Sequence, residues 1–276
     1  MEATLAKKRT GIREASRVQC IFCRAKPPLT REHIFGDWLR GLGYSGEGIH
    51  EIQRDDGSQP IIQYAGVFNK KLKIVCAKCN NGWMSLVEER AKPLFIEMFN
   101  RASLPDESQS RIVFNNADQL TLARWAFKTA VVSHYVNGRL RFPVEHRDEF
   151  YLTGNPPQHA QIWIGAASIP DDPVRGEHLA EVKYKPVELT VRQGASASVQ
   201  AAYEWQLRLL NVVFVVMGSV KDARTGIAAK ISPSELLGLV ITPIWPANQG
   251  DIMWPPPVSV DGIGGMSVLT QAPVIS

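Results

Sequence analysis

The chain has 276 residues, 45% of them apolar, and a formal net charge of +4; this is enough material for one large core or two ordinary ones. Its longest apolar run, around Leu209 to Met217, is broken by Asn211 and is far shorter than the ~20 residues that a membrane-spanning helix needs, so no span is predicted. No apolar segment follows Lys7, Lys8 and Arg9, so a secretory leader is not expected and the sequence reads as a cytoplasmic protein without a membrane partner.

Residues 1–16 read as a basic, mobile arm, since residues 1–31 carry eight basic side chains against two acidic ones. Such an arm attracts a phosphate backbone through counterion release, and the same composition fits a frayed, solvated terminus. Residues 17–24 are expected to form a knuckle around Cys20 and Cys23, stopped by Pro27 and Pro28. The next segment sets Glu32 and His33 beside the apolar Ile34 and Phe35, and a short helix is expected to begin at Trp38 and Leu39. Residues 41–48 read as a glycine-rich loop, and residues 49–70 as a hairpin turning at Asp55, Asp56 and Gly57. Leu72 and Ile74 alternate with lysines, which predicts a half-buried strand running into Cys76.

Asn80 or Asn81 is expected to cap a helix carrying Trp83, Leu86 and Val87 and ending near Ala91, with Pro93 opening a second one. Leu122, Trp125, Ala126 and Thr129 mark one face of a longer helix closed by Asn137 and Gly138. From about residue 142 the pattern turns to β. Strands are predicted at residues 161–164, 181–191, 205–217 and 239–245, and a weakly patterned tail follows the prolines at 255–257.

Four cysteines make two C-x-x-C pairs, Cys20 with Cys23 and Cys76 with Cys79. Four thiolates in this spacing suit a tetrahedral structural zinc ion, and with all four used and no export signal expected, zinc is favoured over disulfides. Hard donors lie between and after the pairs, at Glu32, His33, Asn80 and Asn81, which points to a second, catalytic ion such as magnesium or manganese. The other histidines, His50, His134, His146, His159 and His178, have no ligand spacing and read as surface or core residues.

The order Cys-x-x-Cys, Glu32-His33, Cys-x-x-Cys-Asn80 resembles the zinc-containing HNH endonucleases of bacterial and phage type, over roughly residues 17–92. The resemblance implies a ββα-metal, treble-clef-like finger in which His33 is the base that activates water, while Glu32 and Asn80 hold the catalytic divalent ion. The sequence departs from the family pattern where Lys71 stands for a common asparagine, leaving Asn69 as the nearest candidate, and where Asn81 and Gly82 follow Cys79-Asn80, which leaves the choice between Asn80 and Asn81 open. Lys7, Lys8, Arg9, Arg31, Lys71, Lys73 and Lys78 are the candidate nucleic-acid contacts. The chain is thus expected to be α+β, with a basic arm (1–16), an HNH-type nuclease finger (17–92), a helical connector (93–140) and a mostly antiparallel β-rich domain (141–276). Its expected activity is metal-dependent phosphodiester hydrolysis, on DNA in preference to RNA. The alternative is a zinc treble-clef module that binds nucleic acid without cutting it.

Overall fold

The computed structural model describes residues 19–42, 47–52, 61–66, 68, 70–101, 111–137, 142–168, 180–193, 196–221, 231–232, 237–246, 250–263, 265–266, 269 and 274–275. Helix and sheet are mixed, in keeping with the α+β expectation, and no described helix is long and apolar enough to cross a membrane. Strands β1 (Leu29–His33) and β4 (Lys71–Cys76) pair antiparallel, with a register shift between Thr30 and Arg31. β4 runs directly into a one-turn helix α1 (Ala77–Cys79), a π-helical turn at Asn80–Met84 and the long helix α2 (Ser85–Arg101). The helix therefore starts earlier than expected. Cys76 is its N-cap residue, and Asn80 and Asn81 lie one turn inside, so neither is a cap. Pro93 falls within α2 instead of opening a second helix. Ala91, Phe95, Met98 and Phe99 are buried on both sides of it, and that burial outweighs the backbone hydrogen bond that proline removes.

The expected hairpin forms from β2 (Glu47–Ile52) and β3 (Ile61–Gly66), with its turn outside the described residues. Strand β5 (Ile112–Phe114) then leads into helix α3 (Asn116–Ser133), which starts at a capping box between Asn115 and Asp118 that satisfies the first free N–H groups. A second helix, α4 (Val144–Thr153), occupies sequence expected to be β. The β-rich region follows as β6 (Ala160–Ala166), β7 (Ala180–Gln193), β8 (Ser196–Leu209), β9 (Val212–Ser219), β10 (Ile231–Ser232), β11 (Ile241–Trp245), β12 (Ile252–Trp254) and β13 (Val274–Ile275). The single strand expected at 205–217 is a hairpin: β8 and β9 reverse at Leu210, whose φ is 53°, and Asn211. Both turn residues are buried, and Asn211 donates to the Met98 carbonyl of α2. Packing thus fixes a turn that has no glycine or exposed polar residue to announce it. β12, in the stretch expected to begin a weakly patterned tail, pairs with β5, and β10 pairs with β13.

Seven strands form one sheet in the order β11-β6-β9-β8-β7-β2-β3, antiparallel except where β2 meets β7. Strand alternation buries both faces of its middle. Ile162, Ile164, Phe214 and Val216 face a core shared with α2 and α3, whereas Trp163, Val213, Val215 and Met217 pack beneath Leu237, Val260 and Met266. The larger cluster runs continuously from Cys20 and Phe22 through Phe95 and Trp125 to Trp205 and Trp254. Buried side chains therefore do not divide at residues 92 or 140, and the β2–β3 hairpin of the expected finger belongs to the β-rich sheet.

His134 and His146 are buried in this core, and His146 Nδ1 lies 2.8 Å from the Tyr203 hydroxyl. Burial holds His146 down at about 4 and His134 at about 3. A depressed histidine binds its proton more readily when unfolded, so its stabilising effect is complete above about pH 6.5 and is lost as pH falls toward the folded value. Chemical denaturation at pH 7 and pH 5 should show His146→Gln losing about 2 kcal/mol less than the parent over this interval. Equal losses in the two proteins would show that His146 is not held neutral. Comparing the two isolates His146 from other acid-sensitive groups.

Candidate functional site

The first cysteine pair sits on a tight knuckle: the Cys20 N–H donates to the Ala25 carbonyl, the Arg24 N–H donates to the Cys20 carbonyl, and Arg24 has φ 58°. The second pair brackets the end of β4 and α1. The register shift in the β1–β4 ribbon links the two. It frees the Ile74 carbonyl, which accepts from the Ile21 N–H of the knuckle at 3.1 Å, and the Arg31 carbonyl, which accepts from Asn80 Nδ2 at 3.3 Å. Helix α4 braces the knuckle from behind, since buried Arg147 donates to the Ile21 carbonyl at 2.7 Å and Arg24 pairs with Asp148. Trp83 seals the site from the other side, edge-on to Phe22 and Phe150 at 4.9 and 5.4 Å.

All four Sγ atoms lie within 4.8 Å of one another, with Cys23 and Cys76 at 3.4 Å, and none is in a disulfide. Zinc–sulfur bonds of about 2.3 Å give tetrahedral S–S edges of about 3.8 Å, so this donor set fits a single metal ion and is consistent with structural zinc. Cys76 is drawn down to about 7: burial opposes this, but hydrogen bonds from the Cys79 backbone and the neighbouring sulfurs prevail. It is therefore the thiol best prepared to bind as thiolate.

His33 ends β1 opposite Lys71. Its Nε2 is buried, makes no hydrogen bond, and lies 3.4 Å from Asp37 Oδ1. Burial, reinforced by Lys71 and opposed by Asp37, keeps the imidazole below its usual range, so it is neutral near pH 7. Glu32 is adjacent in sequence but points elsewhere, as alternate strand residues do. It is buried, 3.8 Å from the Nζ of the fully buried Lys128 on α3. Burial pushes its carboxyl up to about 7; Lys128 opposes this and Glu88 adds to it.

Asn80 Nδ2 donates to Thr30 Oγ1 at 3.1 Å as well as to the Arg31 carbonyl, while Thr30 donates to the Val75 carbonyl at 3.0 Å. The asparagine thereby ties the helix start to the strand just before Glu32, and its Oδ1 is the atom left to accept or ligate. Asn81, Arg31, Lys71, Lys73 and Lys78 are exposed around this corner. Asn69, Lys7, Lys8 and Arg9 lie outside the described residues. Among the described residues, the four cysteines are the only group of three or more His, Cys, Asp and Glu donors close enough to share an ion.

Sequence reading missed the centre of this region. Glu88, two turns along the helix from Asn80, accepts from Trp38 Nε1 at 2.7 Å and Trp125 Nε1 at 3.0 Å, and pairs closely with Lys128. Gly36 lies against the same contact; a Cβ there would sit 2.3 Å from both Glu88 Oε2 and Trp38 Nε1. The available signal was Trp125 and Lys128 at i, i+3 on an otherwise apolar helix face, a spacing that aims both at one point. Asp37, four residues after His33, was missed as well.

Removing one partner of a buried ion pair leaves an uncompensated charge, at a cost of about 3–5 kcal/mol. Lys128→Met should lower the unfolding free energy by that order, because it leaves Glu88 and Glu32 without their shared cation; a loss below about 1 kcal/mol would mean that water already reaches this pair. Cys76→Ser should eliminate stoichiometric zinc, measured by elemental analysis of the purified protein, and expose the knuckle to proteolysis. Retention of one zinc per chain would show that the ion is not held by the cysteine cluster. Comparison with models of known protein families, with curated proteins and with solved structures gave no match.

Proposed function

We propose that the chain is a metal-dependent endonuclease of the HNH type that hydrolyses phosphodiester bonds, with DNA favoured over RNA. In this reading β1, β4 and the α1–α2 helix, stapled by structural zinc at Cys20, Cys23, Cys76 and Cys79, are its ββα-metal, treble-clef-like finger. The observation that carries the reading is the uncommitted Nε2 of His33, on an imidazole held neutral at the end of β1. A neutral ring nitrogen without a partner can take a proton from an attacking water. Asp37, 3.4 Å away, stabilises the imidazolium that results and sets the ring's orientation. Lys71, paired across the ribbon, offers positive charge to the phosphodiester.

A bound magnesium or manganese ion would supply Lewis-acid stabilisation of the charge that develops on the phosphate and on the leaving 3′ oxygen. Glu32 and Asn80 Oδ1 are the oxygens of the right type to hold it. The bond of Asn80 to Arg31 fixes the helix start relative to the strand that carries Glu32 and His33, as a preorganised site requires.

A zinc module that binds nucleic acid without cutting it is the second reading. It is favoured by the pairing of Glu32 with Lys128, which competes with a divalent ion for that carboxylate.

Supercoiled plasmid nicking by the purified protein with magnesium or manganese separates the two. Nicking should need the divalent ion and fall at least ~10²-fold in His33→Ala, in line with the loss of a general base, while zinc content and folding stay unchanged. Wild-type protein that is folded and zinc-loaded yet inactive on plasmid and on RNA would establish the binding module. Asp37→Asn, which keeps the shape and removes the charge, should reduce nicking less than His33→Ala does.

A further inference from the structure

A groove opens on the opposite side of α2 from Glu88, between that helix, α3 and the end of α4. Its apolar wall is Trp83, Leu86 and Val87, its cationic edge is Arg90 with Arg124, and Gly154 closes one end in the left-handed conformation that also terminates α4. No acidic residue lines it.

Arg124 is half-buried, and Asn155 Oδ1 holds it in place by accepting from both Nε and Nη2, at 3.2 and 2.7 Å. These two bonds fix the plane of the guanidinium through one edge and leave Nη1 directed to other partners. Arg90 is exposed nearby, close enough that burial and then Arg90 both weaken the hold of Arg124 on its charge. Among the described residues neither arginine has a carboxylate partner. Keeping a charge partly out of water beside a second like charge is unfavourable unless an anion joins them. A fixed planar donor beside a mobile one is suited to phosphate oxygens.

The cavity volume of about 240 Å³ is below the roughly 300–1,000 Å³ of pockets that enclose a whole small molecule. It therefore suits one unit of a longer ligand. From Asn80 to Arg90 the helix advances about 15 Å, the rise of about four nucleotides along one strand of a duplex.

We infer that this groove is a second contact site for a nucleic-acid strand, in which Arg90 and Arg124 grip a backbone phosphate while Leu86, Val87 and the edge of Trp83 receive the adjoining sugar. The inference takes its class of polymer from the nuclease reading. Its contacts lie on a different face of the helix from His33 and Glu32, so the site anchors a strand several nucleotides from the bond that is cut.

The test is fluorescence anisotropy of a labelled 20-mer, single- and double-stranded, over a series of salt concentrations. The protein is zinc-loaded His33→Ala, so the strand stays intact. Adding Arg90→Gln and Arg124→Gln together should weaken binding ~10-fold or more and reduce the slope of log affinity against log salt by about one to two, one for each lost phosphate contact. Arg90→Glu, at an exposed position, serves the same purpose if Arg124→Gln disturbs folding, and alone should weaken binding ~10-fold. Unchanged affinity and slope in folded variants would overturn the inference. So would arginine-dependent binding of inorganic phosphate or a mononucleotide with no arginine-dependent binding of the strand, because the groove would then serve a small ligand.

The two readings fail separately. Plasmid nicking that depends on His33, with strand binding indifferent to both arginines, removes only the groove. Strand binding that depends on the arginines, with no cutting by wild-type protein, removes only the nuclease.

Discussion

A single carboxylate, that of Glu88, holds three parts of the chain together. Trp38 comes from the segment after β1, Trp125 and Lys128 come from α3, and Glu88 itself sits on the helix that begins among the zinc ligands. Two indole N–H groups and an ammonium satisfy a charge that would otherwise be too costly to remove from water. The packing around it is close: Gly36 has no room for a side chain there, and Phe95 and Trp125 lie edge-on at 4.5 Å one turn further in. The direction of α3, the approach of the β1 corner to α2 and the environment of Glu32 all follow from this contact.

That arrangement ties the candidate chemistry to the rest of the fold. Glu32 and Glu88 share one cation, with Lys128 close to Glu88 and farther from Glu32. The ammonium thus belongs chiefly to Glu88, and Glu32 is the carboxylate with charge left over, which is what a ligand for a divalent ion requires. His33 faces away, toward Asp37 and Lys71. A carboxylate held inside and an imidazole at the rim divide the corner into an ion-holding side and a proton-accepting side.

The parts of this arrangement that depend on local sequence were legible and the parts that depend on distant contacts were not. Two C-x-x-C pairs announce their own convergence, because few other arrangements use four thiols at that spacing, and the alternation of residues 72–74 announces β4. The helix around Trp125 was legible for the same reason. By contrast, the reversal at Leu210 and Asn211 escaped notice because its turn is buried and has none of the usual turn residues. Helix α4 was read as β because its apolar positions are few, and its place is set by Arg147, Phe150 and Asp148 reaching the zinc knuckle. Glu88 and Lys128 have no motif. Each is an ordinary charged residue on a helix until the tertiary fold removes both from water.

The β2–β3 hairpin lies in sequence between the two cysteine pairs, yet its strands extend the far edge of the seven-stranded sheet. The loop that a metal ion would close, from Cys23 to Cys76, must therefore be laid against β7, more than a hundred residues further along the chain. Closing such a loop is entropically expensive until the contacts inside it form, and β7 cannot pair before it has been synthesised. During translation the first C-x-x-C pair and then the second leave the ribosome long before the edge that receives the hairpin exists. Metal capture can draw the loop ends together early, but the hairpin between them can dock only near the end of synthesis. The topology thus makes the metal a co-translational clamp on a segment that is still waiting for its partner, and gives the protein a high contact order with correspondingly slow final assembly.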